Sequence, residues 1–222
     1  MSNIKIKIGI FVLMLLVFTL ITFTYQYQKE IDWTKEIYLN KSNVNFIESL
    51  HQYDADDLQN TLESLNEVES MSKDEAMTLT AKASNEWSLW VQTLHKAVLT
   101  ADYIVPKEDE QYGYNGYIVG SEKQYQILGN LFTTNGFRFY FDSLENKIIT
   151  NQLNNQDKML LQEVNQLFNS IHNVMKSNWL IKVENINFLT DQDEILKMKE
   201  PFLNSIEQDV QSLSDLYHEF SN

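Results

Sequence analysis

The chain has 222 residues, of which 31 are acidic and 17 basic, with 43% hydrophobic and 12% aromatic side chains. That is enough for one domain with a real core, and the apolar content argues against disorder. The acidic excess repels phosphate backbones and excludes nucleic acid as an expected partner, while the absence of cysteine excludes disulfides, thiolate metal sites, a cysteine nucleophile and a lipoprotein-type anchor.

The first element is an apolar run, residues 8–25, IGIFVLMLLVFTLITFTY. Eighteen uncharged residues rise about 27 Å as a helix, close to the hydrocarbon thickness of about 30 Å. A secretory signal has a shorter apolar core and small residues at its cleavage site. Here bulky Phe23, Tyr25 and Tyr27 stand at those positions. The run is therefore expected to be an uncleaved transmembrane signal-anchor, preceded by a short cytoplasmic tail at 1–7. Tyr25, Tyr27 and Trp33 suit an interfacial aromatic belt. Lys5 and Lys7 flank the run on one side. On the other, Lys29, Lys35 and Lys41 are balanced by Glu30, Asp32 and Glu36. The unneutralised tail charges favour an extracytoplasmic C-terminal domain in a single-pass cell-membrane protein. With the first 25 residues and their two lysines set aside, 31 acidic residues face 15 basic ones. The abundance of Lys, Asn and Ile fits an AT-rich bacterial genome.

Residues 26–53 form a juxtamembrane helical segment with an expected break at Asn40 to Asn45. The bundle domain then occupies 54–222. Leu58, Leu62, Leu65 and Val68 predict a helix over 54–71. Asp54, Asp56 and Asp57 lie at its start, where free N–H groups favour anions. The Asp run lacks the glycine and glutamate offsets of a calcium loop. Ser72 and Glu75 have the capping-box form. They open a long helix, about 73–101, whose stripe of Ala76, Leu79, Ala83, Trp87, Trp90, Leu94, Val98 and Ala101 reads as core.

Residues 102–120 are irregular, with Pro106, an acidic run and the turn dipeptide Asn115-Gly116. Tyr103, Tyr112, Tyr114 and Tyr117 cluster here and are the candidate partner-binding residues; the alternative is that they fold back as a lid. Ser121 caps a short helix ended by Asn135-Gly136. Residues 137–141, FRFYF, alternate at a strand period and predict a short β-hairpin near 137–150, with a helix through Leu144 and Ile148 as the alternative. From about 156, Leu160, Val164, Leu167, Ile171, Val174 and Asn178 share a helical face, which extends through Trp179, Val183 and Ile186. Pro201 allows a fresh start or a kink. Leu203, Ile206, Val210, Leu213, Tyr217 and Phe220 then make a heptad seam, whose expected cover is the 156–178 helix and the tryptophan face.

The fold class expected is mainly α: a transmembrane helix followed by an antiparallel helical bundle. His51, His95, His172 and His218 are far apart, with no second ligand nearby in sequence, and no hydrolase, Walker or dinucleotide motif occurs. Arg138 is the one arginine. No enzyme activity, cofactor or metal is expected. The leading reading is a membrane-anchored interaction module that binds an envelope protein or peptide. The alternative is a cell-envelope enzyme or carbohydrate-binding domain using the tyrosine-rich loop at 103–117.

Overall fold

A computed structural model describes residues 2–101, 121–187 and 190–221; the side chains of 2–12, 31, 34, 35 and 38 fall outside the description. The elements are α1 (Ser2–His51), α2 (Asp56–Leu65), a 3-10 turn (Val68–Ser70), α3 (Lys73–Ala101), α4 (Glu122–Thr134), α5 (Phe137–Ile149), α6 (Asn155–Val174), a π-helical turn (Met175–Leu180), α7 (Ile181–Glu184) and α8 (Gln192–Ser221). No strand occurs among the described residues. The chain divides into two compact units, residues 1–41 and 42–222.

In the first unit α1 carries large exposed apolar side chains. Leu13 through Phe18, Leu20, Ile21 and Phe23 are all more than half exposed. Among the described residues, no helix is long and apolar enough to cross a membrane. Five of the eighteen residues of the 8–25 run, 8–12, have side chains outside the description.

The second unit is a helical bundle. Its first piece is the end of α1, where Phe46, Ile47 and Leu50 are buried. No break occurs at 40–45. Asn43 is a poor helix former, yet its amide donates to Gln192 Oε1 at 2.6 Å, and Ser42 donates to the Thr100 carbonyl at 3.1 Å. These tertiary bonds override local preference.

The α3 helix is central. It packs on α2, α4 and α5, while α8 packs on α4 and α6 and less on α3. Trp87 and Trp90 are buried with ring centroids 4.8 Å apart, and Phe137, Phe141 and Phe168 surround them. The Trp87 indole N–H donates to the Thr134 carbonyl at 3.0 Å, so the polar edge of a large apolar ring is satisfied in the core. Gln124 reaches the Val98 carbonyl at the opposite end of the same pair, so α3 and α4 run antiparallel. The α4 and α8 pair is different. Lys123 meets Glu207 and Asn130 meets Gln211, so these two helices run parallel.

The hairpin expected at 137–150 is absent: the segment is α5. The buried residues are Phe137, Tyr140, Phe141 and Leu144, spaced as on one helical face. Phe139 points out, 57% exposed, with the Arg138 guanidinium 4.5 Å above its ring. A run of five residues with four aromatics contains both periods, and the helical one is the one that closes the core over Trp87.

The expected caps also resolve. Ser72 Oγ accepts from Glu75 N–H at 3.3 Å and Ser121 Oγ from Gln124 N–H at 3.2 Å. The reciprocal box forms at Asn154 and Asp157, which sequence reading passed over. In α8, exposed Pro201 sits inside a helix that neither stops nor restarts.

Candidate functional site

The four tyrosines singled out by sequence, Tyr103, Tyr112, Tyr114 and Tyr117, lie outside the described residues. Open surface hollows occur among the described residues of the bundle. One, of about 440 Å³, is lined by Ser64, Met71, Asp74, Glu75, Thr78 and Leu79. Another, of about 310 Å³, lies between the end of α3 and α8 and includes Lys199, Glu200 and Leu203. Among the described residues, no three His, Asp or Glu side chains converge as a metal site.

The apolar surface of α1 has one chemical peculiarity. Its three threonines direct their hydroxyls back at the helix: Thr19 to the Leu15 carbonyl at 2.7 Å, Thr22 to Phe18 at 2.7 Å and Thr24 to Leu20 at 2.8 Å. Each polar group on this stretch is thus satisfied without water. Tyr25, Tyr27 and Trp33 follow, all more than half exposed.

The second notable cluster runs from a buried Tyr53, Trp90 and His172 out to exposed Asp56 and Lys176. The link after α1 places Tyr53, the start of α2 places Asp56, α3 supplies Trp90, and α6 with its π turn supplies His172 and Lys176. The Trp90 indole N–H donates to the Tyr53 oxygen at 3.1 Å. The Tyr53 oxygen lies 3.2 Å from His172 Nδ1, and His172 Nε2 lies 3.1 Å from Asp56 Oδ1. Lys176 Nζ meets the same Asp56 oxygen at 2.8 Å. The Nε2 contact is at ion-pair distance without hydrogen-bond alignment. His172 is also stacked against Phe168, centroids 5.6 Å apart.

We assign the protons by the arrangement that leaves no donor in this chain of contacts unspent. An indole only donates, so Tyr53 accepts from Trp90 and spends its own O–H on Nδ1. That makes Nδ1 an acceptor and puts the ring proton on Nε2, facing Asp56. Burial holds the imidazole below its ordinary pKa; Asp56 opposes this and Lys176 reinforces it. Burial also pushes the Tyr53 hydroxyl up, and the Lys176 hydrogen bond holds the Asp56 carboxyl below the usual carboxylate range.

Sequence spacing gave no hint of this cluster, since Tyr53 and His172 are 119 residues apart. The one available signal was the position of His172, beside Ile171 and Phe168 on the buried side of an amphipathic helix. Of the other histidines, His51, His95 and His218 are exposed. Comparison with known protein families, with curated proteins and with solved structures finds none that matches this chain.

Proposed function

We propose that the chain is a single-pass cell-membrane protein whose 8–25 segment anchors an extracytoplasmic helical module that binds a protein or peptide partner. The observation that carries the anchor is the surface of α1 from Leu13 to Phe23. It is apolar all the way round, exposed, and has its threonine hydroxyls bonded to its own backbone. A helix that is hydrophobic on every side needs either a protein core or lipid around it. The exposed aromatics that follow, Tyr25, Tyr27 and Trp33, match a headgroup boundary. The interaction role is supported by large apolar side chains left exposed on the bundle: Phe132 at 81%, Leu89 at 63% and Tyr125 at 54%.

Alkaline carbonate extraction of membranes tests the anchor: the chain should stay in the pellet, and release into the supernatant would refute it. Glu67, exposed between α2 and α3, tests orientation. A Glu67→Cys variant should react with an impermeant maleimide on intact cells; reaction only after lysis would invert the topology. Photo-crosslinkers at Phe132 and Tyr125 should trap one discrete adduct, and a ladder of unrelated products or none would count against a specific partner.

A further inference from the structure

We propose that Tyr53, His172 and Asp56 form a pH-sensitive latch that pins the α1–α2 link and the start of α2 to α6 when His172 is neutral and loosens them when it is protonated. The hydrogen-bond direction carries the proposal. With Nδ1 unprotonated, every polar atom between Trp90 and His172 Nδ1 has a partner: indole N–H to tyrosine oxygen, tyrosine O–H to imidazole nitrogen. A second proton on the ring lands on Nδ1, which then faces a hydroxyl that is itself donating. Tyr53 must turn its O–H away, into a site where its side chain is buried and the neighbouring indole offers no acceptor.

The surrounding charges are disposed on both sides of the balance. From the start of α2 Asp56, and from the link before it Asp54, favour the imidazolium. From the π turn, Lys176 disfavours it and already occupies Asp56 Oδ1 at 2.8 Å. The α3 helix brings uncharged Trp90. On the α8 side, Asp209 takes the Ser170 hydroxyl at 2.6 Å; Ser170 and His172 point roughly 200° apart around α6, so that carboxylate does not reach the ring. Burial adds to the Lys176 effect, and His172 is 1% exposed. Protonation therefore works against the closed arrangement, and the structure relieves it by separating the Tyr53–Asp56 stretch from α6. Histidine is the one side chain whose ordinary pKa allows this near neutrality.

The test uses the full-length chain in detergent micelles. Amide hydrogen exchange of residues 52–60, corrected for intrinsic chemistry, is compared at pH 7.5 and 5.5. The opening equilibrium should rise at acid pH by roughly three- to tenfold, ten being the ceiling one pH unit below the ordinary histidine value of about 6.5. His172→Gln can keep an acceptor for Tyr53 and a donor for Asp56 without titrating, and should abolish the rise. Two exposed positions give a check that does not depend on that core variant folding. Lys176→Met should shrink the acid response and Asp56→Asn should enlarge it. Imidazole carbon NMR should place the His172 midpoint below the ordinary histidine value of about 6.5. A wild-type ratio near one, an unchanged response in His172→Gln, equal responses in the Lys176 and Asp56 variants, or a His172 midpoint at or above about 6.5 would overturn the latch.

Discussion

The ring of Tyr217, near the end of α8, lies across Gly136 so closely that a Cβ there would sit 2.2 Å from the ring's Cζ and 2.5 Å from its hydroxyl oxygen. Gly136 has ordinary helical angles, φ −60 and ψ −24, so its backbone makes no demand for glycine; the neighbouring ring does. That ring is held edge-on to Phe137, with centroids 5.3 Å apart. Gly136→Ala is expected to cost about 1–3 kcal/mol, as overpacking does, even though alanine is the better helix former. In a Tyr217→Ala background the same change should become neutral or mildly stabilising. Urea unfolding of the four proteins in a double-mutant cycle reads this directly, and strictly additive effects would refute the contact.

Asp157 joins two helices through one side chain. It is 4% exposed, accepts the Asn154 backbone N–H at 3.1 Å to close the capping box, and pairs with the Lys147 ammonium from α5. Its backbone carbonyl also accepts from Tyr140 at 2.7 Å. Asp157→Ala should cost about 2–4 kcal/mol, combining a lost cap with a broken, largely buried pair. Asp157→Asn keeps an acceptor for the Asn154 N–H and should cost about half as much. Chemical denaturation measures both; an alanine variant within about 0.5 kcal/mol of wild type would mean the side chain is decorative.

Leu213 is fully buried between α8 and its neighbours. Leu213→Ala should cost about 2–5 kcal/mol. Asp209, half-buried, accepts the Ser170 hydroxyl, and Asp209→Ala should stay within about 0.5 kcal/mol. Thermal melts with sedimentation separate this from a seam used for self-association, in which Leu213→Ala would weaken assembly and leave Tm unchanged.

Global stability should carry the His172 signature as well. An unfolded histidine binds its proton near pH 6.5, and the folded one binds it less readily because it is buried. The unfolded chain therefore holds more protons below that pH. The stabilisation is complete above about 6.5 and is lost as pH falls towards the folded value. Between pH 7.5 and 5.5 the wild type should lose up to about 1.4 kcal/mol relative to His172→Gln. Parallel stability curves for the two proteins across that range would exclude the effect.

The helical faces were legible because burial repeats every three or four residues. The seam from Leu203 to Leu213 is buried as its spacing implies, and so are Trp87 and Trp90. Tyr217 is half-buried against Phe137, and Phe220, 38% exposed, packs edge-on to Tyr140. Spacing points to α6 and the tryptophan-bearing α3 as the cover of that seam; α8 packs on α6 and less on α3, and its further neighbour is α4, running parallel. Pairing partners are set by loop geometry, which spacing does not encode. The face of α6 was read slightly rotated. Leu167 and Val174 are partly buried, whereas Leu161, Phe168 and His172 are fully inside. Local periodicity misread 137–141 because aromatics filled nearly every position. The Tyr53–His172–Asp56 cluster was invisible for the opposite reason: each member is unremarkable in its own segment and meets the others only across the bundle.

The π-helical turn at Met175–Leu180 has a consequence for how this region tolerates length changes. A single wide turn holds one residue more than an α-helix would. Upstream of it Ile171 and His172 point inward; Trp179 near its end and Val183 just after it do the same, with the Trp179 indole donating to Ser205 Oγ at 3.0 Å. Removing one residue within 175–180 would let the backbone relax to regular α-helix while preserving the aim of everything after it. Adding a residue early in the turn, or removing one upstream of it, would swing Trp179 and Val183 roughly 100° out of register with α8. The turn is thus the one place in the α6–α7 rod where a codon could be lost with the core left in phase.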